Sequence, residues 1–319
     1  MKAFRSRIRI GLSACLTGDE VRYNGQGAED RFVNRELVNY FDFIKVCPEV
    51  GIGLGIPRET IRLVKKNDDI RLVNHSGDKD FTDKMLDFSK TTGAKLKDER
   101  ISGYIFKKSS PSCGAFRVKV YNEEGVTQAQ SSVGVFSKYI QEKFPWLPVE
   151  EDGRLNDPGL RHNFISRVFA IKYWQENVED DLSVNSLVEF HKIHKYMLMS
   201  HGQVALRKLG RIVANSQKKP VEEMAEEYLA LFTEVTRKPA PRSKHANVLF
   251  HLMGYFSKKL DDFDRKEVVN VIDKYRRGLI PLVLPINSIN HYTNKYQISY
   301  LQEQSYLKTL DELCMLNRI

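Results

Sequence analysis

Three short apolar runs in the first half of the chain each lead into a loop that carries a cysteine. The run Arg7–Leu12, in which charged and apolar residues alternate, leads to Cys15, and two later runs lead to Cys47 and Cys113. Apolar runs that break into glycine or proline are typical of buried strands leaving a sheet. Ligands of open α/β sheets bind at the carboxyl ends of strands, so we expect the three thiols at one sheet edge.

Segments with helical spacing separate these runs, which favours a parallel sheet with crossover helices. Residues 131–144 also have a helical pattern, and an acidic loop with two prolines follows. Strand patterns nearly vanish after that loop. We therefore predict an α/β chain, with an N-terminal Rossmann-like parallel-sheet domain in residues 1–155 and a mostly α-helical domain in residues 156–319.

The composition of the 319 residues is that of a globular protein, with 41% hydrophobic and 29% charged residues. No run reaches the roughly 18 apolar residues of a membrane helix. The N-terminus lacks the continuous apolar core of a signal peptide, so we expect a cytoplasmic protein. Four cysteines in such a chain indicate chemistry or metal binding rather than a disulfide framework.

The cysteine spacing narrows the kind of metal site. No C-x-x-C pair occurs, which excludes a zinc ribbon, and the glycines of residues 50–59 match neither a Rossmann fingerprint nor a Walker loop. Three thiolates from three strand ends suit an iron–sulfur cluster, in which a fourth iron stays open for a soft sulfur atom of a substrate. The alternative is that the cysteines are small buried apolar residues.

Three sequence blocks resemble the signature blocks of the thiouracil desulfidase family: SACLTG at 13–18, CPEV at 47–50 and SPSCG at 110–114. The resemblance implies a [4Fe-4S] cluster with one open iron site, held by Cys15, Cys47 and Cys113. It also implies catalytic roles for Glu49 and Ser110. Glu49 would activate the attacking water, and Ser110 would orient the ring or relay a proton. From the residues alone, without the family resemblance, Glu49 is interpreted as a helix-cap or ion-pair carboxylate and Ser110 as an ordinary turn residue.

The second half is similar to an uncharacterised helical domain that is often fused to this module, on blocks such as FHKIHK at 190–195 and LGRIVA at 209–214. The fused architecture resembles the tRNA 4-thiouridine desulfidases. The resemblance implies conversion of 4-thiouridine in tRNA to uridine with release of sulfide and without net electron transfer. It implies thiolated tRNA as a partner, and we infer no obligate protein partner and no membrane.

The basic residues divide equally between the two halves, but in the second half their excess over acidic residues is concentrated in one stretch. The chain has a formal net charge of +9, and residues 191–260 hold 13 Lys and Arg against 5 Asp and Glu. Such a surface attracts nucleic acid without reading its sequence, although a solvated basic helix face is an equal alternative. The candidate phosphate contacts are Arg207, Lys208, Arg211, Lys218, Lys219, Lys244, Arg276 and Arg277.

Two other functions fit the same residues. A desulfidase could act on free thiouracil or thionucleosides. A non-enzymatic RNA-binding iron–sulfur protein could sense redox state, with Glu49 structural. Loss of thiouridine absorbance separates enzyme from sensor, and comparison of tRNA with free base separates the two enzymes.

Overall fold

The computed structural model describes residues 4–67, 69–215 and 219–308. The chain forms two compact units. Residues 6–164 make the sheet unit, and residues 165–308 with residues 4–5 make the helical unit. The division falls inside one α-helix, between Phe164 and Ile165. The sequence pattern predicts the boundary at residue 155, where the proline-containing acidic loop ends. A helix that runs from one unit into the next leaves no break in the sequence pattern.

The sheet unit contains eight described strands and four helices before the dividing helix. In chain order these elements are β1 Ile8–Ser13, α1 Arg31–Arg35, β2 Phe41–Val46, α2 Pro48–Gly51, β3 Ile61–Lys66, β4 Asp69–Asn74, α3 Thr82–Asp98, β5 Tyr104–Phe106, β6 Val118–Tyr121, β7 Thr127–Ser132, α4 Val135–Lys143, β8 Val149–Glu151 and α5 Pro158–Trp174.

Sheet A has the strand order β2-β1-β5-β8, and all its neighbouring strands run parallel. Ile10 and Leu12 of β1 are fully buried in the centre of this sheet, as the alternation along Arg7–Leu12 predicts. The predicted parallel sheet is confirmed. The third apolar run, residues 101–106, forms a strand only from Tyr104 to Phe106, where its register with β1 and β8 begins.

Sheet B, with the order β4-β3-β6-β7, was not predicted. Its β3–β4 and β6–β7 pairs are antiparallel hairpins, and β3 runs parallel to β6. The alternation signal was present in Ile61/Leu63 and Val118/Val120, but polar hairpin residues surround it. The helix predicted over 131–144 begins only at Val135, because residues 131–132 end β7.

One buried apolar cluster ties the elements of the sheet unit together. Val46 and Phe106 from sheet A pack with Leu63 of sheet B, Met85 of α3 and Phe136 of α4. Burial of such side chains stabilises each by about 1.5–3 kcal/mol. This cluster fixes the strand ends that border the site.

The helical unit consists of the end of α5 and the following helices: α6 Val184–Ile193, α7 Lys195–His201, α8 Gln203–Ala214, α9 Val221–Thr236, α10 Arg242–Met253, α11 Asp262–Arg276, α12 Val283–Lys295 and α13 Ser299–Gln302. The predicted mostly helical second half is confirmed. No helix among the described residues combines the length and apolar character that crossing a bilayer requires.

Aromatic side chains fill the core of the helical unit, and two histidines belong to that core. Trp174 and Phe190 meet edge to face with ring centroids 5.0 Å apart. His194 is buried, with Nδ1 2.9 Å from the Phe190 carbonyl oxygen, and His191 Nδ1 lies 3.0 Å from the Tyr228 hydroxyl. These contacts assign both histidines to the packing of the unit.

Candidate active site

The three cysteines of the sequence blocks line one cavity of about 290 Å³ in the sheet unit. Cys15 lies in a 3₁₀ turn directly after β1, Cys47 directly follows β2, and Cys113 lies in the loop after β5. These strands are adjacent and parallel, so their carboxyl ends meet at one edge of sheet A. Glu49 and Ser110 line the same cavity. The structure therefore brings all five predicted site residues of the first domain together.

The three cysteines in the described part of the chain are free thiols, and Cys314 lies outside it. Burial raises the pKa of Cys15 to about 11, against the opposing charge of Lys107, and burial also raises the pKa of Cys47 and of Cys113. These thiols are protonated at neutral pH in the absence of metal. A metal that binds them displaces their protons.

The thiol arrangement does not suit a single metal ion. A zinc ion holds each sulfur ligand at about 2.3 Å from one centre. No three His, Cys, Asp or Glu side chains in the described ranges are close enough together to hold one ion. In an iron–sulfur cluster the cysteines bind separate irons, so thiols that surround a cavity suit the larger group.

Glu49 is held in the first turn of α2 by the guanidinium of Arg58. Arg58 donates to Glu49 Oε2 from Nη2 at 2.6 Å and from Nε at 3.0 Å. Arg58 Nη2 also donates to the Val21 carbonyl oxygen at 2.8 Å, and the Arg58 side chain is only 6% exposed. Because Arg58 is tied to the loop as well, the carboxylate has a fixed orientation.

The Ser112 hydroxyl connects Glu49 to Ser110. Ser112 Oγ donates to Glu49 Oε1 at 2.7 Å and lies 2.9 Å from Ser110 Oγ. A hydroxyl has one proton, and an ionised carboxylate can only accept. Ser110 therefore donates to Ser112, and Ser112 donates to Glu49. Sequence reasoning missed Ser112, which lies within the SPSCG block, and Arg58, which lies nine positions after Glu49. Spacing alone does not show which side chains meet.

Ser110 Oγ is also held by two backbone amides. The N–H groups of Ser112 and Cys113 donate to it at 3.3 Å and 3.1 Å. These donors lie in the loop that supplies a cysteine. The loop therefore positions the Ser110 oxygen and the Cys113 sulfur as one rigid piece.

Basic residues line the cavity beside the thiols. Lys107, Lys108 and Arg22 lie on its wall. Lys107 forms an ion pair with Asp152, and Asp152 Oδ1 accepts the Lys108 backbone N–H at 2.8 Å. Lys107 and Arg22 each act on the Cys15 thiol, lowering its pKa against the larger effect of burial. These cations compensate negative charge that a thiolate-bound group brings into the cavity.

The predicted phosphate contacts that the structure describes all belong to the helical unit. Arg207, Lys208 and Arg211 are exposed on α8, whose opposite face buries Leu206 and Leu209. The remaining candidates form contacts within the protein, cap a helix or lie outside the described residues. Lys219 pairs with Glu227, Lys244 donates to the His201 carbonyl oxygen, Arg276 pairs with Asp273, Arg277 caps α11, and Lys218 lies outside the described residues.

Comparison with known proteins assigns the chain to a family. A profile described as 2-thiouracil desulfurase matches residues 10–152. The chain is 33% identical over 133 residues to the uncharacterized protein YbbK of Bacillus subtilis (strain 168), which is 38% of this chain and 87% of that protein. The chain belongs to the 2-thiouracil desulfurase family. Membership favours an enzyme that cleaves a carbon–sulfur bond over the non-enzymatic redox sensor.

The second half of this desulfurase-family chain matches another profile. Residues 195–310 match a protein of unknown function (DUF1722). The uncharacterized protein YbgA of Escherichia coli (strain K12) is 32% identical over 143 residues, which is 44% of this chain and 85% of that protein. The expected fusion of a desulfidase module with an uncharacterised helical domain is confirmed.

One solved structure is also similar to the desulfurase-family chain. It is described as the [4Fe-4S]-dependent thiouracil desulfidase TudS, and it is 26% identical, with 47% of this chain and 94% of TudS covered and a TM-score of 0.38. A TM-score this low supports no argument about the two folds.

Proposed function

We propose that this protein is a [4Fe-4S]-dependent desulfidase that converts 4-thiouridine in tRNA to uridine and releases sulfide. The observation that carries the proposal is the single cavity that holds Cys15, Cys47, Cys113 and the Ser110–Ser112–Glu49 chain. This cavity lies in a chain of the 2-thiouracil desulfurase family.

The residues of the cavity fit a cluster with three protein ligands. Cys15, Cys47 and Cys113 would hold it, one thiolate to each of three irons. Lys107 and Arg22 lie where they offset its negative charge. When bound, such a group supplies an iron with an open position, which acts as a Lewis acid toward a soft sulfur atom.

The chain's own residues supply the proton transfers. Each carboxylate oxygen accepts two hydrogen bonds, and Ser112 uses one position on Glu49 Oε1. A water that attacks the thiocarbonyl carbon gives its proton to the second position. Once Glu49 is protonated, the two hydroxyls reverse their hydrogen bonds, so that Glu49 donates to Ser112, Ser112 donates to Ser110 and Ser110 donates to the departing sulfur. The sulfur leaves as hydrosulfide, and the second proton of the water passes to solvent. Water supplies the new carbonyl oxygen, so the carbon–sulfur bond breaks without gain or loss of electrons.

The cavity volume limits what enters it. Sites for drug-sized ligands are about 300–1,000 Å³. The cavity of about 290 Å³ would hold the cluster as well as the substrate, so the space that is left suits no more than one nucleobase. A 4-thiouridine within tRNA must therefore leave its stack to react. The exposed cations of α8 would hold the phosphates of the RNA.

A free thiouracil or thionucleoside is the second candidate substrate. The family description names 2-thiouracil, and a single base fits the cavity without any contact to the helical unit. Both candidates share the same chemistry and cavity. They differ in whether the basic helical unit contributes to substrate binding.

The first experiment measures iron, acid-labile sulfide and the visible spectrum of protein purified without oxygen. We expect about four iron and four sulfide per chain. Replacing Cys15, Cys47 or Cys113 with Ala should remove the cluster, and Cys314→Ala should keep it. A colourless wild-type protein that cannot be reconstituted would contradict the proposal.

The second experiment follows loss of thiocarbonyl absorbance with thiolated tRNA, 4-thiouridine and 2-thiouracil as substrates. We expect turnover with the highest kcat/KM for tRNA. Glu49→Gln should lower kcat by about 10²–10⁴-fold with full cluster content, because the base is lost. Asp42→Asn, an exposed carboxylate of β2, is the matched control. Equal kcat/KM for tRNA and free base would favour the free-base enzyme.

A further inference from the structure

The hydroxyl of Tyr104 is buried without a hydrogen-bond partner in the described structure. Tyr104 has no exposed surface and lies on the central strand β5 of the sheet unit. Buried polar groups nearly always have a hydrogen-bond partner. A buried group without one has lost its hydration and has gained no hydrogen bond in return. An orphaned hydroxyl in a native core therefore needs an explanation, such as a partner that a bound group supplies.

The packing around Tyr104 fixes where its hydroxyl lies. Its ring stacks on Phe106 with centroids 4.0 Å apart and meets the edge of Phe136 at 5.9 Å. In the strand register Tyr104 lies opposite Gly11, where a Cβ atom would be only 2.1 Å from the Tyr104 ring. The glycine makes room for the ring, and the ring cannot rotate away to find another partner.

The three cysteines of the cavity are the titratable groups that act on this hydroxyl. Burial raises the pKa of Tyr104 well above its usual value, and the Cys113, Cys47 and Cys15 thiols raise it further, in that order. Tyr104 and Cys113 also belong to the same buried cluster, together with Val46 at the end of β2. Tyr104 does not line the cavity itself, but it shares the buried cluster with Cys113 and Val46, which do.

We infer that the Tyr104 hydroxyl donates a hydrogen bond to a sulfur atom of the bound iron–sulfur cluster. The inference rests on the cluster of the proposed function. A phenol carries one donor, and hydrogen bonds to cluster sulfurs are among the factors that set the reduction potential. A donor stabilises the more negative, reduced form, so Tyr104 raises the potential and tightens cluster retention.

The test is Tyr104→Phe, which removes one oxygen and keeps the ring packing. The hydroxyl lacks a partner in the cluster-free protein and has one in the loaded protein, so the substitution should have opposite effects on the two. We expect a higher thermal midpoint for the cluster-free variant. In the loaded variant we expect a lower reduction potential by EPR-monitored titration and severalfold faster cluster loss to a chelator. The control is Tyr139→Phe, a half-buried tyrosine on α4.

Resonance Raman spectroscopy of the loaded wild-type protein provides a readout that is independent of the thermal and redox measurements. The iron–sulfur stretching bands should shift between H₂O and D₂O, and the shift should be smaller in Tyr104→Phe. A loaded variant with wild-type potential, chelator kinetics and isotope shift would overturn the inference while the desulfidase stands. The hydroxyl would then bind a buried water. A wild-type protein that takes up no iron would overturn the proposed function and the inference together.

Discussion

Ser112 joins the two residues for which the family resemblance implies catalysis. Its hydroxyl is fully buried, donates to the Glu49 carboxylate and accepts from Ser110. Ser110 Oγ in turn accepts two backbone amides. Ser112 therefore links Glu49 and the Ser110 hydroxyl by hydrogen bonds, and in the proposed function it passes the proton between them.

Replacing Ser112 with Ala should break this path. We expect kcat to fall by about 10²-fold with KM and iron content unchanged, because proton transfer is lost while the cavity keeps its shape. Ser112→Thr should restore part of the rate. The comparison variant is Ser89→Ala, an equally buried serine that bonds the Met85 carbonyl on α3. Steady-state kinetics on both variants decides the point, and an unchanged kcat in Ser112→Ala would rule out the relay.

Gly11 is required at its position by the ring of Tyr104. A Cβ at residue 11 would overlap that ring at 2.1 Å, inside a close-packed core. Gly11→Ala should destabilise the sheet unit by about 1–3 kcal/mol, as overpacking does. Gly55→Ala, where the nearest atom to the new Cβ is 3.8 Å away, should have a much smaller effect. Denaturant unfolding measures both, and equal midpoints would contradict the packing argument.

At the scale of elements, the site is built by strands from both sheets. The ends of β1, β2 and β5 in sheet A lead to the three cysteines. Thr60 and Ile61, at the start of β3 in sheet B, line the same cavity. The second sheet, which the sequence did not predict, thus forms part of the cavity wall. Parallel pairing brings the thiols together, and sheet B limits the space in front of them.

His194, between α6 and α7, makes the stability of the helical unit depend on pH. Burial lowers its pKa to about 4. In the unfolded chain its pKa is about 6.5, so between these values only the unfolded state is protonated. The contribution of neutral His194 to the free energy of unfolding is therefore fully present above pH 6.5. It is lost as the pH falls toward 4, by on the order of 3 kcal/mol.

Thermal unfolding of the chain from pH 7.5 to 4.5 measures this dependence. The transition of the helical unit should move to lower temperature through this range. His194→Gln should have a flatter pH profile, whatever its absolute stability. A variant with the wild-type slope would show that other groups cause the loss.

At the scale of the whole molecule, the positive charge is concentrated in the helical unit while the thiols and Glu49 lie in the sheet unit. In the proposed function the helical unit binds RNA and the cavity cleaves the bond, so substitutions would change the two separately. This separation provides a way to distinguish by experiment between tRNA and a free base as the substrate.

Changing Arg207, Lys208 and Arg211 together to Gln should weaken tRNA binding and leave turnover of free 2-thiouracil unchanged. Each lost phosphate contact lowers the slope of log affinity against log salt by about 0.7–0.9. Fluorescence anisotropy at increasing KCl measures the slope. The control removes three exposed lysines of the sheet unit, Lys90, Lys97 and Lys138. If both triple variants lose affinity equally, net charge and not the α8 face is responsible.

The sequence by itself determined the parallel sheet, the helical second half and the grouping of Cys15, Cys47 and Cys113, while the family resemblance added Glu49 and Ser110. Strand periodicity and the position of each cysteine after an apolar run depend on local order, which a sequence shows directly. Sheet B stayed hidden because its strands are short and their pairing is set by partners distant in the chain.

Only the tertiary structure decided the roles of Arg58, Ser112 and Tyr104. The hydrogen bond from Ser112 to Glu49 joins residues 63 positions apart. The Tyr104 hydroxyl is notable only because no described atom forms a hydrogen bond with it. His191 in α6 and His194 at the C-terminal end of α6 likewise proved to be core residues. His194 contacts Phe190, and His191 contacts Tyr228. Contacts between distant residues depend on how elements pack, and residue spacing along one strand or helix does not carry that information.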